Sequence, residues 1–161
     1  MATTGLAGDI ALRVARTFRA PAERVFQAWT SPEELKKWSA PGEATVGAAE
    51  VDFRVGGAYR IRMELPDGSV HVAVGEYREI DPPRRLVYTW RWETQPEGQR
   101  DPHAAARGTR DTLVTVEFTE RGGGTEVVLT HSGFETEESR AGHAQGWEGA
   151  FEKLGKLFGQ H

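Results

Sequence analysis

The sequence predicts an α+β fold, a curved antiparallel sheet of about six to seven strands wrapped on one long C-terminal helix, with two short helices after strand one. Three observations predict it. Across residues 136–158, His143, Trp147, Phe151, Leu154 and Phe158 recur at spacings of four, four, three and four, which places them on one face of a helix. Upstream, apolar and polar residues alternate with a period of two in segments divided by Gly and Pro, the pattern of strands joined by tight turns. Connections that short make neighbouring strands antiparallel, because parallel neighbours need long crossovers. The terminal helix must bury its stripe, and the sheet is the one large partner available.

Ile10, Leu12, Val14 and Phe18 alternate through the first strand, with Arg16 the exception on that face. Ala20-Pro21 opens a short helix carrying Val25, Phe26 and Trp29; proline in a first turn costs little, since its missing donor has no helical partner there. Ser31-Pro32-Glu33-Glu34 starts the second helix, with Ser31 as cap, Pro32 at the first position and Glu34 completing a capping box. Leu35 and Trp38 are its buried contacts, and Trp29 and Trp38 pin the two short helices.

Residues 44–55 form the next strand, and Gly56-Gly57 turns the chain into Tyr59, Ile61, Met63 and Leu65, opposite a wet face of Arg60, Arg62 and Glu64. Pro66-Asp67-Gly68 is a turn by its own chemistry. Residues 70–80 make a long strand, bulged near Gly75 where the apolar parity changes, and Asp81-Pro82-Pro83 stops it. Leu86, Tyr88, Trp90 and Trp92 give the following strand an aromatic stripe. Val114, Val116 and Phe118 mark another strand, residues 121–124 a hairpin turn, and Val127, Leu129 and His131 the last strand. Thr136 caps the terminal helix, Glu137 and Glu138 suit its first turn, and Gly159 fits its exit. Residues 93–110, broken by Pro96, Gly98, Pro102 and Gly108, read as a long mobile loop, either functional or a tolerated surface decoration, with decoration the preferred reading.

A chain of 161 residues, 38% hydrophobic and 27% charged, suits one globular domain over 1–161. The net charge of −4 argues against nucleic acid as a partner. The chain has no cysteine, which removes disulfides and thiolate chemistry and fits a reducing, cytoplasmic setting. No basic-then-apolar leader opens the sequence, and no apolar run is long enough to span a bilayer. No phosphate-binding glycine loop, nucleophile elbow or zinc-type H-E-x-x-H occurs. Arg78, Arg84, Arg85 and Arg91 are interrupted by acidic neighbours and read as a solvated face.

Several motifs occur in a definite order: Ala20-Pro21 with Val25-Phe26-x-Ala28-Trp29-Thr30, Pro32-Glu33-x-Leu35-x-x-Trp38, and Asp52-Phe53-Arg54-Val55-Gly56-Gly57. Then come residues 81–87, Gly124-Thr125-x-Val127-x-Leu129 with Gly133-Phe134, and His143-x-x-Gly146-Trp147-x-x-x-Phe151-x-x-Leu154. Over residues 10–158 this set resembles the helix-grip superfamily (START/Bet v 1-like, SRPBCC) of the birch-pollen allergen, START lipid-transfer domains and polyketide cyclases. Within it the chain is most similar to the branch named for the activator of Hsp90 ATPase (AHSA1-like). The resemblance implies a bacterial-type helix-grip protein with a ligand cavity between sheet and helix. It carries over no catalytic residue, because the family has no universal ones. The 93–110 loop is longer than is usual in such proteins.

Strand parity and helix periodicity send Phe53, Tyr59, Met63, Trp90, His131, His143, Trp147 and Phe151 towards one interior, and these eight are the candidate ligand-binding residues. Plain core packing is the alternative for the aromatic members. A sheet crossed by a single helix leaves an interior too wide to fill everywhere, which favours a cavity. His131 and His143 form either a proton-transfer pair at the cavity floor or ordinary core and rim histidines. The second reading is adopted, with no catalytic residue assigned. Arg16 either binds an anionic group inside, reaches the rim, or pairs with a glutamate.

Gly142, Gly146, Gly149 and Gly155 each cost the helix about 1 kcal/mol relative to alanine. Close helix–sheet approach or added cavity volume would offset that cost, and Gly155 can equally be a tolerated glycine on an exposed face. No metal spacing is present and no cofactor is expected. The expected partner is a small hydrophobic or aromatic ligand, with the chain a monomer or homodimer. The rival readings are a cyclase- or hydrolase-type enzyme using pocket His and Arg, and an Hsp90-type chaperone-interaction module.

Overall fold

A computed structural model describes residues 10–93 and 110–159. The elements run β1 (Ile10–Phe18), α1 (Ala22–Gln27), α2 (Pro32–Trp38), β2 (Thr45–Val51), β3 (Ala58–Glu64), β4 (Val70–Asp81), β5 (Arg85–Trp92), β6 (Thr112–Arg121), β7 (Gly124–Phe134) and α3 (Glu137–Leu157). The seven strands form one sheet in the order β1-β7-β6-β5-β4-β3-β2, antiparallel at every pairing. This is the helix-grip architecture that the sequence implied. Strands β2 to β7 follow the chain, whereas β1 pairs with β7. The two short helices carry the chain from that edge to the opposite one. No described helix is long and apolar enough to cross a membrane.

The expected side-chain caps hold at α2 and α3. Ser31 accepts from the Glu34 N–H at 3.2 Å and Thr136 from the Ser139 N–H at 3.0 Å, each satisfying a donor that a helix start leaves unpaired. At α1 the cap is Pro21, which has no side-chain acceptor to offer. A carboxylate from another strand takes over, as Ala22 N–H donates to Glu120 Oε2 at 3.0 Å.

Several boundaries and exposures differ from expectation for identifiable reasons. Strand β2 ends at Val51 rather than 55 because the following loop pairs with β4: Gly56 N–H donates to the Tyr77 carbonyl at 2.8 Å and Tyr77 N–H to the Gly57 carbonyl at 3.0 Å. Gly56 has φ +86 there, a conformation that glycine adopts without strain. The β4 irregularity falls between Tyr77 and Glu79, and Gly75 instead permits a close approach. The Tyr59 side chain crosses it and donates to the Thr89 carbonyl of β5 at 2.5 Å. The Glu76 N–H bonds the Thr89 hydroxyl at 2.9 Å. Gly155 is buried, so it is not the exposed position the helix pattern allowed. Apart from residues 93 and 110, the expected loop lies outside the described residues.

The core sits where α3 meets β1, α1 and α2. Phe151 is fully buried with ring centroids 5.7 Å from Phe18, 6.1 Å from Trp29 and 6.3 Å from Trp38. Trp38 donates to the Ala28 carbonyl at 2.9 Å and Trp29 to the Tyr88 hydroxyl at 3.3 Å, so these two tryptophans do pin the short helices. Burial pushes the Tyr59 and Tyr88 hydroxyls far above the ordinary phenol range. Arg16 lies against α3 and faces Glu148 at 3.9 Å, which settles its alternatives in favour of a glutamate partner.

Candidate functional site

At its other end the helix leaves the sheet. A cavity of about 610 Å³ opens between the first half of α3, the inner face of β3–β5 and the 39–44 loop that follows α2. The β5 stripe supplies Trp90 and Trp92, β3 supplies Met63, and α3 supplies Trp147 and Ala150. The space exists because the helix has no side chain to put there. A Cβ at Gly142 would meet nothing within 4 Å, and one at Gly146 would reach only Pro41, at 3.9 Å. The loop wall is held from behind: Lys153 Nζ donates to the Ala40 and Ala44 carbonyls at 2.6 and 2.9 Å. Burial, and then Lys156, lowers the Lys153 pKa.

Two tryptophan–histidine bonds fix the walls. Trp92 donates to His143 Nε2 at 2.8 Å, so the other ring nitrogen, Nδ1, carries the proton and donates to the Ser139 carbonyl at 2.7 Å. Trp147 donates to His131 Nδ1 at 3.0 Å. His131 Nε2–H then faces Thr112 Oγ1 at 2.6 Å, whose hydroxyl donates to the Trp90 carbonyl at 2.8 Å. Both imidazoles are thereby set as neutral acceptors of an indole N–H. Burial first, and His143 second, hold the His131 pKa well below the ordinary histidine value.

These features sit on a sequence whose relatives can be recognised. The family model described as "Activator of Hsp90 ATPase homolog 1-like protein" matches residues 19–159. The chain belongs to this family. A search of curated proteins finds no match. Among solved structures, a Chromobacterium violaceum protein is 26% identical with TM-score 0.76, over 94% of this chain and 98% of its own. A Rhizobium leguminosarum protein is 28% identical with TM-score 0.74, over 93% and 94%. The AHSA1 protein of Silicibacter pomeroyi is 24% identical with TM-score 0.77, over 93% and 98%, a likeness of fold.

In this AHSA1-like chain the eight candidate residues divide evenly. Met63, Trp90, His143 and Trp147 line the cavity. Phe53, Tyr59, His131 and Phe151 lie behind its walls. Phe53 packs between Phe26 and Tyr77, at 6.2 and 5.0 Å. Tyr59 borders a separate void of about 20 Å³ under Trp90, room for about one water molecule. His131 is fully buried behind Trp147, and Phe151 belongs to the solid core. Sequence reasoning missed His71, Leu65, Pro66 and the 39–44 loop, and left Trp92 out of the eight although its aromatic stripe was a candidate cavity wall. The Trp92 signal was present, since it shares the parity of Trp90. His71 follows the Pro66-Asp67-Gly68 turn, and only the β3–β4 register brings it opposite Met63.

Among the described residues no group of three His, Asp or Glu could hold a metal ion. A second hollow, of about 570 Å³ on the outer sheet face, is lined by Arg60, Arg78, Arg91, Glu50, Glu76 and Asp111. Its arginines already face carboxylates: Arg60 with Glu93 at 2.9 Å, Arg78 with Glu76 at 3.6 Å and Arg91 with Asp111 at 3.5 Å. Arg84 and Arg85 likewise face Asp81 at 3.1 Å and Glu117 at 2.9 Å. The arginine run is therefore a paired, solvated face.

Proposed function

We propose that the protein binds one small apolar or aromatic molecule between its sheet and the first half of its terminal helix. The observation that carries this reading is the tryptophan-walled cavity of about 610 Å³. Its size lies inside the range of small-molecule sites, about 300–1,000 Å³. Covering such walls stabilises a complex by about 25 cal/mol for each Å² of apolar surface removed from water.

The bonding of His143 and His131 favours retention over turnover by this pair. A general base needs a free acceptor nitrogen within reach of a substrate proton. Here indole N–H groups occupy His143 Nε2 and His131 Nδ1. Arg16, the other candidate for chemistry, is engaged with Glu148 outside the cavity.

An apolar fluorescent probe such as ANS tests the reading directly. It is expected to bind the native protein saturably, one to one, with excitation transfer from the tryptophans. Trp90 and Trp147 stand 5.3 Å apart at the site. Native mass spectrometry of gently purified protein should also reveal a retained small molecule. An absence of saturable probe binding, together with no retained molecule, overturns the proposal.

A further inference from the structure

We infer that the ligand of this cavity carries a positive charge: an apolar molecule ending in an amine or quaternary ammonium group, rather than a fatty-acid-like carboxylate. The inference rests on the binding proposal above and concerns which charge the same site accepts. Among the described residues lining the cavity there is no lysine or arginine, whereas two carboxylates, Glu43 from the loop and Glu138 from α3, stand exposed at its mouth. Three tryptophans form the walls, with Trp90 centred 5.4 Å from Trp92 and 5.3 Å from Trp147. Indole faces carry negative charge density and attract cations more strongly than other aromatic rings do.

Two indole donors that an anion could use are turned away from the cavity. Trp92 and Trp147 commit their N–H groups to His143 and His131. The Trp90 N–H is buried without a hydrogen-bond partner. The nearby start of α3 would favour an anion through its helix dipole. That end already carries Glu137 and Glu138, and Thr136 occupies its Ser139 N–H. Among the described residues, an entering carboxylate would meet like charge at the mouth and no lysine or arginine within. A cation would meet three indole rings and two carboxylates.

A matched ligand set at pH about 8, above the ordinary histidine range, tests this by tryptophan quenching and calorimetry. The set is a phenylbutyl trimethylammonium ion, its uncharged tert-butyl isostere and phenylpentanoate. The ammonium ion should bind at least about tenfold more tightly than the isostere, as a desolvated cation–π contact allows. Phenylpentanoate should bind more weakly than the isostere. The Glu43→Gln, Glu138→Gln double variant, altered only at exposed positions, should shrink the ammonium-to-isostere ratio several-fold. If the isostere binds while phenylpentanoate equals or exceeds the ammonium ion, the charge inference is overturned and the cavity reading stands. If none of the three binds, the cavity reading falls with it. An ammonium preference unchanged in the double variant removes the carboxylates from the account.

Discussion

Helix α3 meets two different interiors along its length. From Phe151 to Leu157 it packs towards Phe18, Trp29 and Trp38, with Phe151 and Leu154 fully buried. From Glu138 to Trp147 it faces a cavity of about 610 Å³, with Gly142 and Gly146 flanking the stripe residues His143 and Trp147. The four-and-three spacing of the stripe runs unbroken through both halves, so periodicity alone does not separate core from cavity. What separates them is the flank of the stripe, where Gly142 and Gly146 leave space beside His143 and Trp147. The packed half anchors the helix, and that lets the other half stand away from the sheet without closing on it.

The largest expected effect is in the packed half. Phe151→Ala should cost about 3–5 kcal/mol in urea melts, the range for large aromatic truncations in cores. A loss below about 1 kcal/mol would abolish the contrast between the halves. Next comes the junction between them, where His131 lies under Trp147. Its pKa in the folded protein is depressed, so at acid pH the unfolded chain binds a proton that the fold excludes. This contribution to stability is complete above the ordinary value of 6.5 and is lost as pH falls from there towards the depressed folded value. Melts between pH about 7.5 and about 5, above the range where carboxylates titrate, should show declining stability. The same window should be flatter in His131→Phe. Equal slopes in the two proteins would place the titration elsewhere.

In the cavity half, volume should be accepted rather than resisted. Met63→Trp should remove probe binding while costing less than about 1 kcal/mol, whereas overpacking a filled core costs about 1–3 kcal/mol. A larger loss of stability would mean that the walls close in solution.

The fold was legible because strand alternation, turn residues and caps are local signals, and the caps at Ser31 and Thr136 appear as read. The site was half legible. Parity gives the face on which a residue lies but not its depth. That is why Met63, Trp90, His143 and Trp147 reach the cavity while Tyr59 and His131, on the same inner faces, sit behind its walls. Depth depends on the long-range register and on where α3 leaves the sheet. His71 illustrates the point: it lines the cavity because β3 and β4 pair Met63 with it. The 39–44 wall carried no periodic signal at all, and its position follows from Lys153 reaching back to two of its carbonyls.

The smallest expected effects compare two glycines on the same helix. Each replaces glycine by alanine in a helix interior, which is worth up to about 1 kcal/mol of stabilisation where space allows. At Gly142 the added Cβ meets nothing within 4 Å, so Gly142→Ala should raise stability by about 0.5–1 kcal/mol. At Gly149 the added Cβ would come 3.1 Å from Pro41 Cβ and 3.5 Å from Gly42 N. The loop must then give way, and its grip on Lys153 resists that. Gly149→Ala should therefore gain less than Gly142→Ala or lose stability, and should weaken probe binding by displacing the loop wall. Gly142→Leu extends the contrast, since it projects volume into the cavity from an exposed position. It should lower probe affinity several-fold while leaving the urea midpoint at or above the wild-type value. Should Gly142→Leu bind the probe unchanged, the helix glycines do not shape the cavity, and their cost to the helix needs another cause.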